Sequence, residues 1–524
     1  MNRQTATALH VFRHLFASVT DEMGYALRQS AVSPNIKERL DYSCALLDAD
    51  GRLAAHAAFI PVHLGSAHHT VPEMLKEVDP QAGDVIVLND PHRGGTHLND
   101  VTVVAPIFHN KKRIGFLLNR AHHADIGGAE PGSMSGARDL FGEGLRLPPV
   151  HLRRAGKDVA EVWQIFQANV RDPHAAHGDL LAQCAALHRG AARFDDLVQR
   201  YGVDEITQAM SNLFDYGARF ASKLLRGWPD RSVRVADNLD GPGTPRIQLK
   251  IHAKHGRLHL DFSGSSAQIP GSWNTHRAVT TSAVFYVLQA LGEGALPETS
   301  GTLSAVDIEL PKASLVDSLS PSGVALGNVE TSQRLVDLLL QALGKLFPRQ
   351  YPAASQGTMN NLLFGGARAD GSPFVHYETL AGGAGAGPHG PGASAVQSHM
   401  TNTRNTPVEV LELELPLRVE QLSLRKNSGG KGKHRGGDGM VKEITFLQPV
   451  RLTVAGSRRH SQPIGSHQGS VGKQAIDSVA EPGKPFCALP SGESVEIQPG
   501  GRVRIQTPGG GGWGKAKKKG AATK

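Results

Sequence analysis

Two apolar runs that share one short polar connection constrain the fold of this chain most. VTVVAPIF begins at residue 101 and RIGFLLNRA ends at residue 121, and only HNKK (109–112) separates them. Apolar runs of this length, rich in Val, Ile and Phe, are typical of strands, and a short polar connection joins such strands antiparallel. The sequence therefore predicts a hairpin whose open ends lie side by side.

Imidazoles and carboxylates lie at the open ends of this hairpin. His97 and Asp100 lead into the first strand, and His122 and His123 close the second. Antiparallel pairing would bring them to one end of a sheet, where two imidazoles and a carboxylate suit a catalytic Mn²⁺, Fe²⁺ or Zn²⁺ ion. Capping of strand ends is the other interpretation. Because neighbours on a strand face opposite sides, we expect only one of His122 and His123 to be a ligand.

The periodicity of apolar residues changes along the chain and predicts an α+β protein. An N-terminal stretch with helical spacing leads into strands, long helical patterns follow, and short strands with glycine-rich turns dominate the end. The predicted parts are 1–157, an N-terminal β-rich region with a helical start and the candidate metal site; 158–404, central helices and mixed structure; 405–514, a β-rich domain; and 515–524, a disordered basic tail.

Charge and composition exclude several classes of partner. The formal net charge is +8, but five of the lysines lie in the last ten residues, so the remaining chain is nearly balanced. Aromatic residues make up 5%, too few for a nucleic-acid stacking surface. Three widely spaced cysteines and the lack of a long apolar N-terminal segment predict a cytoplasmic protein without a membrane partner.

Two glycine-rich segments resemble nucleotide-binding loops without matching them. GAGPHG (385–390) fits G-x-G-x-x-G, but Pro388 and Pro391 oppose the helix that a dinucleotide site needs. A structural turn and a mobile loop along a substrate channel are the two interpretations that remain. NSGGKGKHRGGDGM (427–440) lacks the P-loop pattern, so it is either a solvated glycine loop or a cationic contact for an anion.

Longer stretches resemble the hydantoinase B/oxoprolinase family over nearly the whole chain. Many such motifs occur in one order, which makes the resemblance specific. They include SPNIKERLDYSCALLDADG, NDPHRGGTHLNDVTVVAPIF, HHADIGG, GNVETSQRLVDLLLQAL, YETLAGGAGAGP, HMTNTRNTPVEVLE and TPGGGGWG.

This resemblance implies a division of labour between two subunits. A separate hydantoinase A-type subunit, with an actin-like ATPase fold, would bind ATP and Mg²⁺ and phosphorylate a substrate carbonyl oxygen. The B-type subunit would act on the activated intermediate, and the chain itself carries no recognisable P-loop. In the family's acetone carboxylase, manganese is held by residues that match His97, Asp100 and His122 here, with His123 as the alternative that the HH pair offers.

The chain is therefore predicted to be the B-type subunit of a hetero-oligomeric, ATP-dependent enzyme that opens a cyclic amide by metal-assisted hydrolysis. Ketone carboxylation is the alternative reaction, and a non-catalytic scaffold subunit is the alternative outside catalysis. Asp125 and Glu38 are the predicted catalytic residues. Asp125 would orient a metal-bound histidine, and Glu38 or its neighbour Asp41 would act as acid, base or extra ligand. Surface salt bridges are the other interpretation of Glu38 and Asp41.

Overall fold

The computed structural model describes residues 3–134 and 137–516, which form the predicted α+β protein with several sheets. The division into parts at 157, 404 and 514 stays a prediction, and residues 517–524 of the basic tail lie outside the described residues. The chain forms two compact units. The first comprises Met1–Ser232, Lys250–Asn328 and Asn402–Arg404, and the second comprises Val233–Leu249, Val329–Thr401 and Asn405–Lys524.

Helices begin the chain and fill the region after residue 158, as their apolar spacing predicts. Leu9, Phe12, Phe16, Val19 and Met23 recur every three or four residues, and all are buried in the core of the first unit. The helices are α1 (Arg3–Ser30), α2 (Pro34–Lys37), α3 (Ala67–Met74), α4 (Leu140–Glu143), α5 (Ala160–Ala168), α6 (Pro173–Tyr201), α7 (Val203–Arg226), α8 (Arg277–Leu291), α9 (Ser300–Leu303), α10 (Ser332–Leu346) and α11 (Val408–Glu414).

Strands form four sheets. The strands are β1 (Tyr42–Asp48), β2 (Leu53–Ala58), β3 (Val85–Leu88), β4 (Asp100–His109), β5 (Lys112–His122), β6 (Val150–Arg154), β7 (Lys157–Asp158), β8 (Ser232–Asn238), β9 (Arg246–Lys254), β10 (Arg257–Asp261), β11 (Val306–Glu309), β12 (Asn361–Ala367), β13 (Pro373–Thr379), β14 (Leu417–Arg425), β15 (Gly439–Phe446), β16 (Val450–Ala455), β17 (Ile476–Ala480), β18 (Cys487–Ala488), β19 (Ser494–Ile497) and β20 (Arg502–Gln506).

The largest sheet lies in the first unit and has the order β2-β1-β5-β4-β3-β6-β7. Its centre is the predicted hairpin of β4 and β5, which a two-residue turn closes. Asn110 and Lys111 both have positive φ, 47° and 65°, as two-residue hairpin turns that follow the twist of the strands require. Helices α1 and α6 contact this sheet and each other and bury its apolar side chains. The remaining sheets have the orders β11-β10-β9-β8, β13-β12-β16-β19 and β14-β15-β20-β17-β18.

Glycine-rich segments in the second unit pack directly against one another through their backbones. Thr507–Gly514 is buried, and its successive N–H groups donate to different segments: Gly510 to the Gly437 carbonyl at 2.9 Å and Gly512 to the Ser470 carbonyl at 2.9 Å. A bonding direction that rotates from residue to residue is the pattern of extended glycine chains with three residues per turn. We call this assembly the glycine bundle; it contains 382–386, 428–437, 464–472 and 507–514.

The glycine bundle settles the roles of both glycine-rich motifs. Gly385 and Ala386 of GAGPHG lie in the bundle, where the Ala386 N–H donates to the Gly511 carbonyl, so this part of the motif is a packed structural segment. In NSGGKGKHRGGDGM, Gly436 and Gly437 are buried, and the solvated-loop interpretation is wrong for them. The local pattern misled because the partners of these glycines are distant in sequence.

Cysteines and helix lengths bear on the predicted location. The three cysteines are free, with Cys44 and Cys184 buried and Cys487 exposed. Across the described ranges no helix has both the length and the apolarity that a membrane span needs. The cytoplasmic location stays a prediction.

Candidate metal centre

Strand pairing brings the candidate ligands together. Asp100 begins β4 and pairs in register with His122, the last residue of β5. His97 lies one turn before the strand, where its carbonyl accepts a hydrogen bond from the Asp100 N–H at 3.0 Å. The predicted meeting of the hairpin's open ends is confirmed. It follows from two strands of similar length that share a two-residue turn.

His97, Asp100 and His122 converge on a small space. Their donor atoms all lie within 4.8 Å of one another. Asp100 Oδ1 lies 3.4 Å from His97 Nε2 and 3.5 Å from His122 Nδ1. One carboxylate oxygen and two imidazole nitrogens therefore point toward a common centre, which is the donor set of many catalytic divalent ions.

Burial makes this convergence costly unless something satisfies the donors. The three side chains are at most 3% exposed. Asp100 Oδ1 and both nitrogens of His97 have no hydrogen-bond partner among the described residues. Buried polar atoms in folded proteins are nearly always hydrogen-bonded, because desolvation without a partner costs about 1–3 kcal/mol per group. A divalent cation would satisfy these atoms together, so the donor set fits a metal.

Electrostatics in the group favour a charged carboxylate. Burial would raise the pKa of Asp100, but the neighbouring His97 and His63 hold it well below its usual value. Burial alone would lower the pKa of His97, and Asp100 raises it above the ordinary value. The pKa of His122 is lowered by burial. A negative charge thus lies between imidazoles at the place where a cation would bind.

Two residues outside the predicted set hold the second oxygen of Asp100. Thr96 Oγ1 donates to Asp100 Oδ2 at 2.6 Å, and His63 Nε2 lies 3.1 Å from the same oxygen. His63 is itself held by Ser43 Oγ, 3.1 Å from its Nδ1. These contacts occupy Oδ2 and leave Oδ1 directed at the histidines. The sequence carried a weak sign of His63, since nine of the 25 histidines lie between 56 and 123.

His123 points away from this group. Its Nε2 lies 3.0 Å from Gln183 Oε1 on α6, and its ring packs edge-on against Phe166 on α5. Strand alternation explains the difference from His122. Of the two histidines that the sequence left as alternatives, the structure brings His122 to Asp100 and places His123 in the packing between the sheet and the helices.

We expect the two histidines to respond differently to substitution. His122→Ala should abolish metal binding, because it removes one of three donors. His123→Ala should keep the ion and lower the free energy of unfolding by about 1–3 kcal/mol, because Gln183 Oε1 loses its buried partner. Metal analysis and thermal unfolding of both variants check this. Loss of the ion in His123→Ala alone would transfer the ligand role to His123.

The predicted catalytic carboxylates lie in different settings. Asp125 anchors a loop: Oδ2 lies 2.7 Å from Arg171 Nη1, and Oδ1 accepts from the Gly127 N–H at 2.9 Å. Glu38 caps the end of α2 and is half-buried. Asp41 is 3% exposed, and its charge raises the pKa of both His97 and His122. Of the carboxylates considered around the strand start at Tyr42, Asp41 is thus the one that acts on the donor group.

Comparison with known proteins places these features in a family. The hydantoinase B/oxoprolinase family matches residues 5–516. The chain is 36% identical to 5-oxoprolinase 1 of Arabidopsis thaliana over 97% of its own length, but it spans only 41% of that relative. It is 28% identical to the B-type component of a D-/L-hydantoinase, so named, from Pseudomonas sp., over 95% of this chain and 88% of that one.

Solved structures share the fold. An ATP-dependent caprolactamase from Pseudomonas jessenii superposes with a TM-score of 0.88 at 25% identity, over 97% of this chain and 91% of that one. Acetone carboxylase superposes with a TM-score of 0.87 at 18% identity, over 98% of this chain and 76% of that one, which shows the fold alone. With a family match over almost its full length, the chain belongs to the hydantoinase B/oxoprolinase family.

Proposed function

We propose that this chain is the B-type subunit of an ATP-dependent enzyme that hydrolyses a cyclic amide. The observation that carries the proposal is the buried donor set of His97, Asp100 and His122, whose atoms converge and which includes donors without hydrogen-bond partners. Relatives named for oxoproline, hydantoin and caprolactam chemistry support a cyclic amide as the substrate class. Mn²⁺, Zn²⁺ and Fe²⁺ all suit two imidazoles and one carboxylate.

The reaction begins, in this proposal, with an amide activated on an A-type partner. Phosphorylation of the carbonyl oxygen by ATP converts the amide to an imidate phosphate. Water then adds to the imidate carbon, the carbon–nitrogen bond breaks, and the nitrogen takes both protons of the water to become an amine. A second water converts the resulting acyl phosphate to a carboxylate and inorganic phosphate.

The residues of this chain have separate tasks in the hydrolytic steps. His97, Asp100 and His122 would hold the divalent ion, which when bound supplies Lewis acidity that stabilises oxyanion charge. Thr96 and His63 position Asp100 through Oδ2. Asp41, whose charge acts on both histidines, is the proposed proton acceptor for water. We place it ahead of Glu38, and we propose a positioning role for Asp125 through its loop contacts.

Activity should depend on a second subunit. We expect the purified chain alone to hydrolyse neither ATP nor hydantoin, 5-oxoproline or caprolactam, because it carries no P-loop. Activity should appear when an A-type subunit is co-expressed, and should then require ATP and Mg²⁺. Turnover assays with and without the partner check this. Rapid turnover by the lone chain without ATP would favour an independent metalloamidase.

The same assay separates the remaining alternatives. Ketone carboxylation would use the same donor set, and the fold shared with acetone carboxylase keeps it as a second proposal. Bicarbonate-dependent consumption of acetone or acetophenone by the complex would identify that reaction. A scaffold protein would bind no ion, so metal analysis distinguishes it from both enzymes.

A further inference from the structure

A cavity of about 400 Å³ lies in the first unit beside the metal centre. Its lining includes His69, His92, Gly95, His276, Arg277 and Lys312. Gly95 precedes the first proposed ligand, His97, by only two residues. The cavity and the donor group therefore share one short stretch of backbone as a wall.

A chain of contacts joins the cavity to the proposed ligands through this wall. His276 Nε2 lies 2.7 Å from the carbonyl of Thr96, and the Thr96 hydroxyl donates to Asp100 Oδ2 at 2.6 Å. Since a carbonyl only accepts, His276 Nε2 is the donor in the first contact. A ligand that contacts the His276 wall would thus lie next to the residues that hold Asp100.

The charges of the lining favour an anion. Lys76 is paired with Glu73 at 2.7 Å, and Arg277 with Asp317 at 3.2 Å. Lys312 also lines the cavity and is exposed, and no described carboxylate lies within ion-pair distance of it. The lining therefore carries three cationic side chains against two carboxylates, and both carboxylates are already paired.

Two further features of the wall support an anionic ligand. Burial and neighbouring His92 lower the pKa of His276 to about 3, and burial with His68 and Arg277 lowers that of His69 to about 3, as expected where positive charge is already unfavourable. Helix α8 begins at the cavity with Arg277 and Ala278, its first turn has no acidic residue, and no side chain caps it. Phosphate oxygens accept hydrogen bonds from such groups.

We propose that this cavity binds the phosphoryl group of the activated amide, and the inorganic phosphate that hydrolysis releases, beside the metal centre. The inference rests on the proposed function, which supplies the phosphorylated substrate. It assigns Lys312 and Arg277 to the phosphate and leaves His97, Asp100 and His122 for the ion. The reacting carbon, one oxygen away from phosphorus, would then lie on the side of the cavity nearest the donor group.

Phosphate binding by the purified full-length chain tests the proposal. Isothermal titration with inorganic phosphate should give a dissociation constant of about 1 mM or tighter. Lys312→Ala and Arg277→Gln should each weaken binding about tenfold, as loss of a charge-assisted contact predicts. Lys223→Ala, which removes an exposed lysine of α7 outside the cavity, should bind phosphate like the wild type.

Three results would overturn the assignment. They are an absence of phosphate binding by the wild type up to about 20 mM, equal binding by the wild type and both cavity variants, and equally tight binding of acetate, which would assign the cavity to a substrate carboxylate. Metal content is measured in the same samples. A chain that holds its ion but binds no phosphate refutes only this inference, whereas a chain that binds phosphate but no ion refutes the proposed function.

Discussion

Replacing Asp100 by alanine or asparagine should reduce bound metal from about one ion per chain to nearly none. Asp100 supplies the only negative charge in the predicted three-residue donor set, and neutral imidazoles alone hold a hard divalent ion weakly. His97→Ala should have the same effect. Elemental analysis of the purified wild type and the variants measures the loss, and circular dichroism shows whether each variant is folded.

Asp84→Ala provides a matched control for loss of a buried carboxylate. Asp84 is 7% exposed and accepts backbone hydrogen bonds from Gln81 and Ala155 at 2.8 and 2.9 Å, but it is not a member of the donor group. This variant should be destabilised and yet keep its ion. Full metal retention by folded Asp100→Ala would refute the ligand assignment.

Replacing Gly437 by alanine should disrupt the second unit. A Cβ atom at this position would lie 1.9 Å from the Ala393 carbonyl oxygen and 3.0 Å from the Ala384 nitrogen, both of them backbone atoms. Backbone cannot rotate away as a side chain can, so the cost should reach the upper range for overpacking, about 3 kcal/mol or more. For a unit of this size, that corresponds to a fall in melting temperature of roughly 6–12 °C.

Gly390→Ala is the matched control for this prediction. Gly390 belongs to the GAGPHG motif of the same unit, but a Cβ there would meet nothing within 4 Å. Its melting temperature should stay close to that of the wild type, as surface substitutions usually change stability by less than about 0.5 kcal/mol. Equal melting temperatures for both variants would contradict the close backbone packing of the glycine bundle.

The hairpin and its donor residues could be predicted because local rules determine them. Strand length and a two-residue turn set the register that pairs Asp100 with His122, and alternation along β5 separates His122 from His123. Each of these rules involves residues close in sequence. The family resemblance then added a specific expectation of which histidine is the ligand.

Other parts of the site depend on contacts that no local pattern encodes. His63 lies on a single 3₁₀ turn, Pro61–His63, more than 30 residues before Asp100, and only packing brings its ring to that carboxylate. The glycine bundle likewise joins segments from 382 to 514 through backbone atoms, which leave no side-chain periodicity in the sequence. The cavity wall at His276 comes from yet another part of the chain.

Anomalous diffraction from crystals of the metal-loaded chain tests the central claim most directly. Data collected on either side of the absorption edge of the bound element locate the ion and identify it. We predict one anomalous peak per chain, about 2.0–2.2 Å from a nitrogen of His97, an oxygen of Asp100 and a nitrogen of His122. A peak held elsewhere, for example by His68 and His69, or no peak in protein that contains one ion per chain, would contradict the claim.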